Sequence, residues 1–508
     1  MKIRPLTLRS LPPFTVERDG EAGEKGACNG LSPSWNRAPY RSLTRVASPA
    51  SGGRDTRVWA ARLLALAVPL SAAAAPPPPA PIVRETLTAI AAKVDPATLR
   101  ATITRLVAFG TRHTLSDTVS ETRGIGAARR WAKGRFEAVS AECHGCLAIE
   151  TPEQTFSGER IKTPAVVQDV IAIQRGTTDP DRVVIISGHI DSRNSDPLNA
   201  DRDAPGANDD GSGVAAVLEA ARVLSQRRFP ATIVYAVLSG EEQGLYGGKV
   251  LADFAKAKGW RVEAVLNNDI IGNSHGSDGR MVDGYVRVFS EGVRADESPA
   301  QAAARRRTGG EVDSPSRNLA RFIQTLAPYA GEGFSARMIL RADRFSRGGD
   351  QLPMQEAGYP AVRLTEADEN YTRQHQDVRV ENGVSYGDVL SGVDFAYLAK
   401  VTRLNIVTLA ALASAPPPPT DVKIAGAVSP DTSLSWTPSP GASGYRVWWR
   451  ETTAPTWTES RDAGDATTLT LKGVNIDDYT FGVSARSAEG WDSLVEFPGV
   501  VGAFEKGP

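Results

Sequence analysis

Cysteine is scarce in this chain: three residues, Cys28, Cys143 and Cys146. The last two form one C-x-x-C, in ECHGCL. With no second pair, the ligand set of a zinc ribbon is excluded. No thioredoxin-like context surrounds the pair, so a local Cys143–Cys146 disulfide in an oxidising compartment is expected ahead of a redox motif. An excess of charge of one sign is lacking too, the formal net charge being -1. That balance gives no reason to expect a nucleic-acid or acidic partner. The apolar run at 58–75 is too short to cross a bilayer comfortably, and no stable membrane span is expected.

The apolar run at 58–75, VWAARLLALAVPLSAAAA, has signal-peptide length. It follows Arg54 and Arg57, and small residues and prolines follow it, so a secreted or periplasmic location is expected. Residues 1–57 read as unstructured, or as a start assigned upstream of the true one. Two proline runs, at 76–82 and 415–419, read as extended spacers that bracket a domain at 83–414. At 508 residues, a large domain plus at least one smaller unit is expected.

Inside the bracket, helical stretches around 83–108 and 122–140 precede apolar strands alternating with amphipathic helices, the pattern of an open α/β sheet. VVIISG (183–188), TIVYAVLSG (232–240), VEAVLNND (262–269) and PAVRLTE (360–366) are runs suited to strands buried on both faces. Between the first two, a helix from about Ser212 to Gln226 carries Val214, Val217, Leu218, Ala221 and Leu224 on one face. Beyond 420 the period changes to two: Leu434 and Trp436; Tyr445, Val447 and Trp449; Leu469 and Leu471; Tyr479, Phe481 and Val483. That pattern predicts a small all-β sandwich over 420–508. On its strand spacing and its Trp436 and Tyr479 positions it resembles a fibronectin type III module.

Acids and imidazoles follow the buried strands. GHIDS gives His189 and Asp191, GANDDGSG gives Asp209 and Asp210, and SGEEQGLYG gives Glu241 and Glu242. NNDIIGN gives Asp269, and NYTRQHQD gives His375 and Asp377. Loops at the carboxyl ends of strands in such sheets converge on one crevice. Carboxylates pressed together there need compensating cations, and imidazole with carboxylate suits zinc.

In order and spacing these motifs resemble the zinc aminopeptidases of peptidase family M28, over about residues 105–400. The resemblance implies a mostly parallel open sheet flanked by helices, holding two Zn2+ ions. Asp209 would bridge the metals, His189 and Asp269 completing one site and Glu242 and His375 the other. Glu241 would be the general base, Asp191 would orient His189, and Tyr371 is a candidate oxyanion donor. It further implies a cis Asp209–Asp210 peptide and peptide or protein substrates.

Two positions depart from the family. The last ligand is expected at His375 rather than directly after Tyr371, because no other histidine follows residue 275. Gln351 stands where a histidine is usual. Asp210, Asp377, His113, His144 and His275 read as non-ligands. Arg341, Arg344 and Arg347 read as a solvated face or as a receptor for a substrate carboxylate. Rival readings are a non-catalytic binding protein, a mononuclear glutaminyl cyclase relative and a two-metal amidohydrolase on a non-peptide amide. The C-terminal module is a candidate for binding a surface, polymer or protein.

Overall fold

Buried β-branched runs bounded by glycine build the centre of the molecule. The computed structural model describes residues 80–308, 310 and 313–498. The segments read as 1–57 and 58–75, and residues 76–79 of the first spacer, lie outside the described residues. Eight strands form one sheet, in the spatial order Leu147–Glu150, Val170–Gln174, Ala231–Leu238, Asp179–His189, Arg261–Asn268, Ala361–Thr365, Tyr285–Phe289 and Ser335–Ile339. The four central strands, from Ala231–Leu238 to Ala361–Thr365, are mutually parallel. Antiparallel pairs flank them. The fold is therefore the mostly parallel α/β sheet expected, with small antiparallel sheets at the C-terminus.

The continuous apolar runs follow from two-sided burial. Within Asp179–His189, Val184 and Ile186 pack into the large core beneath the helices Pro96–Val107, Gly211–Leu224 and Phe395–Ser414. Val183 and Ile185 face the smaller core under Tyr246–Ala257 and Gln351–Glu356. Phe395–Ser414 is long and apolar enough to cross a membrane by composition, yet 83% of its apolar window is buried. Its composition is explained by packing against the sheet and against Gly211–Leu224.

The predicted helical stretch at 83–108 is two helices, Pro81–Ala91 and Pro96–Val107. Pro96 cannot continue the first, and Asp95 caps the second by accepting from Ala97 N (2.9 Å). Cys143 and Cys146 are joined as a disulfide, with sulfurs 1.99 Å apart, just past the helix Gly124–Glu142.

The C-terminal residues form two three-stranded antiparallel sheets, Thr420–Ala425, Thr432–Thr437 and Thr468–Leu471 against Glu459–Gly464, Gly444–Glu451 and Tyr479–Arg486. Their period-two residues, from Leu434 and Trp436 to Phe481 and Val483, share one cluster. A buried ion network joins this sandwich to the α/β region. Arg450, 1% exposed, pairs with Asp313, which also pairs with Arg321. Arg321 Nε donates to Pro455 O (2.7 Å), and Asn318 Nδ2 to Val495 O (2.7 Å).

Removing one member of a buried ion network leaves uncompensated charge. Asp313→Ala is therefore expected to cost about 3–5 kcal/mol of stability, read from chemical denaturation. A second outcome is expected at Glu291, whose buried carboxyl is pushed up to about 7 by desolvation. Below about pH 4.5 it is protonated folded and unfolded. From there to about pH 7 the unfolded chain releases the proton more readily, so stability falls as pH rises, and the penalty is complete above. The drop in denaturation midpoint between pH 5 and pH 8 should be smaller in Glu291→Gln than in the unsubstituted chain.

Candidate metal centre

Each candidate ligand sits where a parallel strand ends. His189 closes its strand, Asp269 follows Asn268, and Glu241 and Glu242 open the short helix after Ala231–Leu238. Asp209 lies in the loop before Gly211–Leu224, and its peptide bond to Asp210 is cis. His375 lies beyond Ala361–Thr365, with a φ of 54°.

These side chains converge in two groups, His189 with Glu241 and Asp269, and Asp209 with Glu242 and His375. Asp209 reaches both imidazoles. Its Oδ1 lies 3.2 Å from His189 Nε2 and its Oδ2 3.0 Å from His375 Nε2. His375 Nε2 is 3.1 Å from Glu242 Oε1, and His189 Nε2 is 3.9 Å from Asp269 Oδ1. Despite these approaches, the buried His189 Nε2 and Glu242 Oε1 have no hydrogen-bond partner among the described residues. Donor atoms that crowd together without bonding to one another fit a shared cation, and the all-nitrogen-and-oxygen set suits zinc.

The electrostatics carry the same mark. Burial works against a charged His375, yet Glu242 and Asp209 outweigh it and raise the imidazole to about 10. Burial likewise opposes a charged His189, but Asp191, Asp209 and Asp269 hold it well above its ordinary value. Burial pushes the Glu241 carboxyl well up, with Asp269 and Glu242 adding to it against His189. Protons thus balance the acids, and cations binding there would displace them.

Around the donors, other carboxylates hold backbone. Asp191 accepts from Glu241 N (3.3 Å), Glu242 N (3.1 Å) and Thr114 Oγ1 (2.9 Å), and its backbone carbonyl lies 3.1 Å from His189 Nδ1. Asp210 caps the helix through Gly213 N (2.9 Å) and accepts from His189 N (3.0 Å) and Ile270 N (3.2 Å). Asp377 pairs with Arg202 (2.8 Å). His113 contacts Gln243 and Pro197, and neither it, His144 nor His275 enters a donor group. Tyr371 also stands outside both groups, 61% exposed.

Four contributors went unnoticed in the sequence. Arg363, fully buried, pairs with Asp269 Oδ2 (2.6 Å). A guanidinium inside the apolar run PAVRLTE was the available signal. Asp388 accepts from Asn208 N (2.9 Å) and Asp209 N (2.7 Å), fixing the loop that presents Asp209, and nothing local in the sequence marks it. Glu366 accepts from Asn208 Nδ2 (2.8 Å). Arg193 brings its Nε 3.8 Å from Glu242 Oε2.

Of the arginines at 341–347, Arg344 and Arg347 share one acid. Both pair with Glu369, at 3.4 and 2.7 Å. Gln351, in the place of the expected histidine, donates from Nε2 to Asp343 Oδ2 (2.5 Å) and takes Asn267 Nδ2 at 3.2 Å.

The model of Peptidase family M28 matches residues 169–382. A probable zinc metalloprotease of Pyrenophora teres f. teres (strain 0-1) is 42% identical over 418 residues, 81% of this chain and 86% of its own. The chain belongs to peptidase family M28. A second relative, a probable zinc metalloprotease of Pyricularia oryzae (strain 70-15), is 39% identical over 96% of this chain and 99% of its own. This M28 peptidase is a zinc metallopeptidase, which removes the non-catalytic reading. Among solved structures, the Legionella pneumophila LapA aminopeptidase aligns with 65% of this chain and 75% of its own, at 19% identity and a TM-score of 0.46.

Chelation is expected to abolish peptide hydrolysis, and added zinc to restore it. Glu242→Ala removes a buried carboxylate of the second donor group and should lower bound zinc per chain, as measured by atomic absorption.

Proposed function

We propose that this M28 peptidase is an exported dinuclear zinc aminopeptidase. The observation that carries the reading is Asp209, whose two oxygens face two separate imidazoles, each grouped with further carboxylates. One metal would sit between His189, Asp269 and Asp209, the other between Glu242, His375 and Asp209. Two such cations supply Lewis acidity and lower the pKa of water towards about 7.

The remaining chemistry belongs to the chain. Glu241 lies with the donors but is partly accessible, and it takes the proton of the attacking water as that oxygen joins the scissile carbonyl carbon. The C–N bond then breaks, and Glu241 hands the proton to the leaving amine. Asp191 is the positioning residue, since it fixes the Glu241 and Glu242 amides beside His189. Tyr371 is the candidate donor to the developing oxyanion. Export is supported by the Cys143–Cys146 disulfide and by the signal-like run at 58–75. The two three-stranded sheets support reading the C-terminal module as fibronectin type III-like.

Arg193 favours one second reading. A guanidinium beside Glu242 suits a substrate carboxylate, and so a two-metal amidohydrolase acting on an acid-bearing amide.

The test compares free and N-acetylated aminoacyl anilides with N-acyl amino acids, in zinc-loaded protein. Cleavage confined to free-amine anilides, with kcat about 10^2–10^4 lower in Glu241→Ala at unchanged zinc content, is expected. Preferential cleavage of the N-acyl amino acids, lost in Arg193→Ala, would replace the aminopeptidase reading with the second one.

A further inference from the structure

The antiparallel hairpin of Glu153–Phe156 and Ala165–Gln168 packs on Tyr246–Ala257, the longer helix after Glu242. Phe156 stacks on Tyr246 with ring centroids 4.3 Å apart, and Ile161 and Val167 are buried with Val250. In the connection between the two strands, Gly158 and Ile161 exchange backbone hydrogen bonds of 2.9 and 3.2 Å. Arg160 and Lys162 thus flank a buried anchor, and both are exposed.

These two cations line a recess of about 770 Å3, with Thr114, Arg129 and Gln168 among the other walls. That volume lies within the ~300–1,000 Å3 usual for ligand sites. Two hydrogen bonds join the recess to the metal centre. Arg160 Nη1 donates to Glu242 O (2.6 Å), and Thr114 Oγ1 donates to Asp191 Oδ2 (2.9 Å), the same oxygen that takes the Glu242 amide.

The charge of the recess is of one sign: three lining residues are cations and none is an acid. Arg129 is buried, donates from Nε to Ser239 Oγ (3.1 Å) and has Asp169 as its main charged neighbour. Arg160 and Lys162 form no ion pair among the described residues, and Glu159, next in the chain, is exposed and outside the lining. A bond to a peptide carbonyl leaves the Arg160 charge uncompensated. With a formal net charge of -1, the chain as a whole is not basic, so this charge is local.

We propose that Arg160 and Lys162 are specificity-determining residues that select peptide substrates bearing acidic side chains close to the scissile bond. A guanidinium and an ammonium beside one recess complement carboxylates, and the hydrogen bonds to the Glu242 segment set that recess next to the reacting atoms. Arg193 is a separate case, since it meets the Glu242 carboxylate itself. The proposal rests on the metallopeptidase class and not on the aminopeptidase reading.

Stopped-flow fluorescence anisotropy with the zinc-loaded full chain tests it, read before turnover so that cleavage does not enter. The probes are two C-terminally labelled pentapeptides, Leu-Glu-Glu-Ala-Ala and Leu-Gln-Gln-Ala-Ala. The acidic peptide is expected to bind about tenfold more tightly at low salt, as two accessible ion pairs allow, with the gap closing as salt rises. Lys162→Gln, at an exposed side chain, should narrow the gap to about threefold, and Arg160→Gln together with Lys162→Gln should bring it within about twofold. Equal affinity for the two peptides, a gap that survives both substitutions, or no binding up to millimolar peptide would each overturn the proposal. Chromatography of the same mixtures after turnover shows which bond is cut, so the aminopeptidase reading stands or falls separately.

Discussion

Concentration of negative charge at one end of a parallel sheet is the constraint on which the rest of this structure depends. The segments after four parallel strands bring four acids, Asp209, Glu241, Glu242 and Asp269, into one crevice with two imidazoles, His189 and His375. Buried like charges at such spacings cannot all stay ionised without cations, and the raised Glu241 carboxyl and raised imidazoles express that pressure. Evolution of a metal site and stability of the fold are thus one problem here. The protein compensates part of the charge with Arg363, which meets Asp269 from inside the sheet, and leaves the remainder for metal.

A second layer of acids does different work. Asp191, Asp210 and Asp388 spend their oxygens on backbone N–H groups of the loops that carry the donors. Backbone hydrogen bonds to a carboxylate are directional, so they fix donor positions in a way that charge alone does not. Loops at strand ends are otherwise the most mobile parts of an α/β fold, and this bonding gives them the rigidity that ligand geometry demands.

The division between these layers explains what the sequence revealed. Strands at 183–188, 232–240, 262–269 and 360–366 were legible because two-sided burial leaves a continuous apolar run. His189, Glu241, Glu242 and Asp269 were legible because they stand at or just after the end of such a run, whereas Asp209 and His375 lie further along in loops and were found through their motifs. Asp388 was not, since its role depends on a loop folding back over 179 residues of chain to Asp209 N. Arg363 was visible but unread: a cation in a buried strand implies a buried acid, yet the sequence does not say which. The helix break at Lys93–Asp95 was masked by the apolar residues on both sides, although Asp95 and Pro96 together form a local start signal.

The proline run at 415–419 shows how composition misleads when context is tertiary. Read alone, it is a stiff spacer that would hold a sandwich away from the enzyme. In the structure Ala415 and Pro416 are buried, and Ala415 O accepts from Arg182 Nη2 (2.6 Å). Ser439, at the sandwich, donates to Pro417 O. The segment is extended, as proline requires, but it is bonded to what lies on either side of it. With Arg450 closing onto Asp313 as well, the sandwich is bonded to the α/β region at more than one point. Anything the module binds is consequently presented at one orientation, so its effect on substrate capture would follow from geometry and not from the effective concentration of a flexible tether.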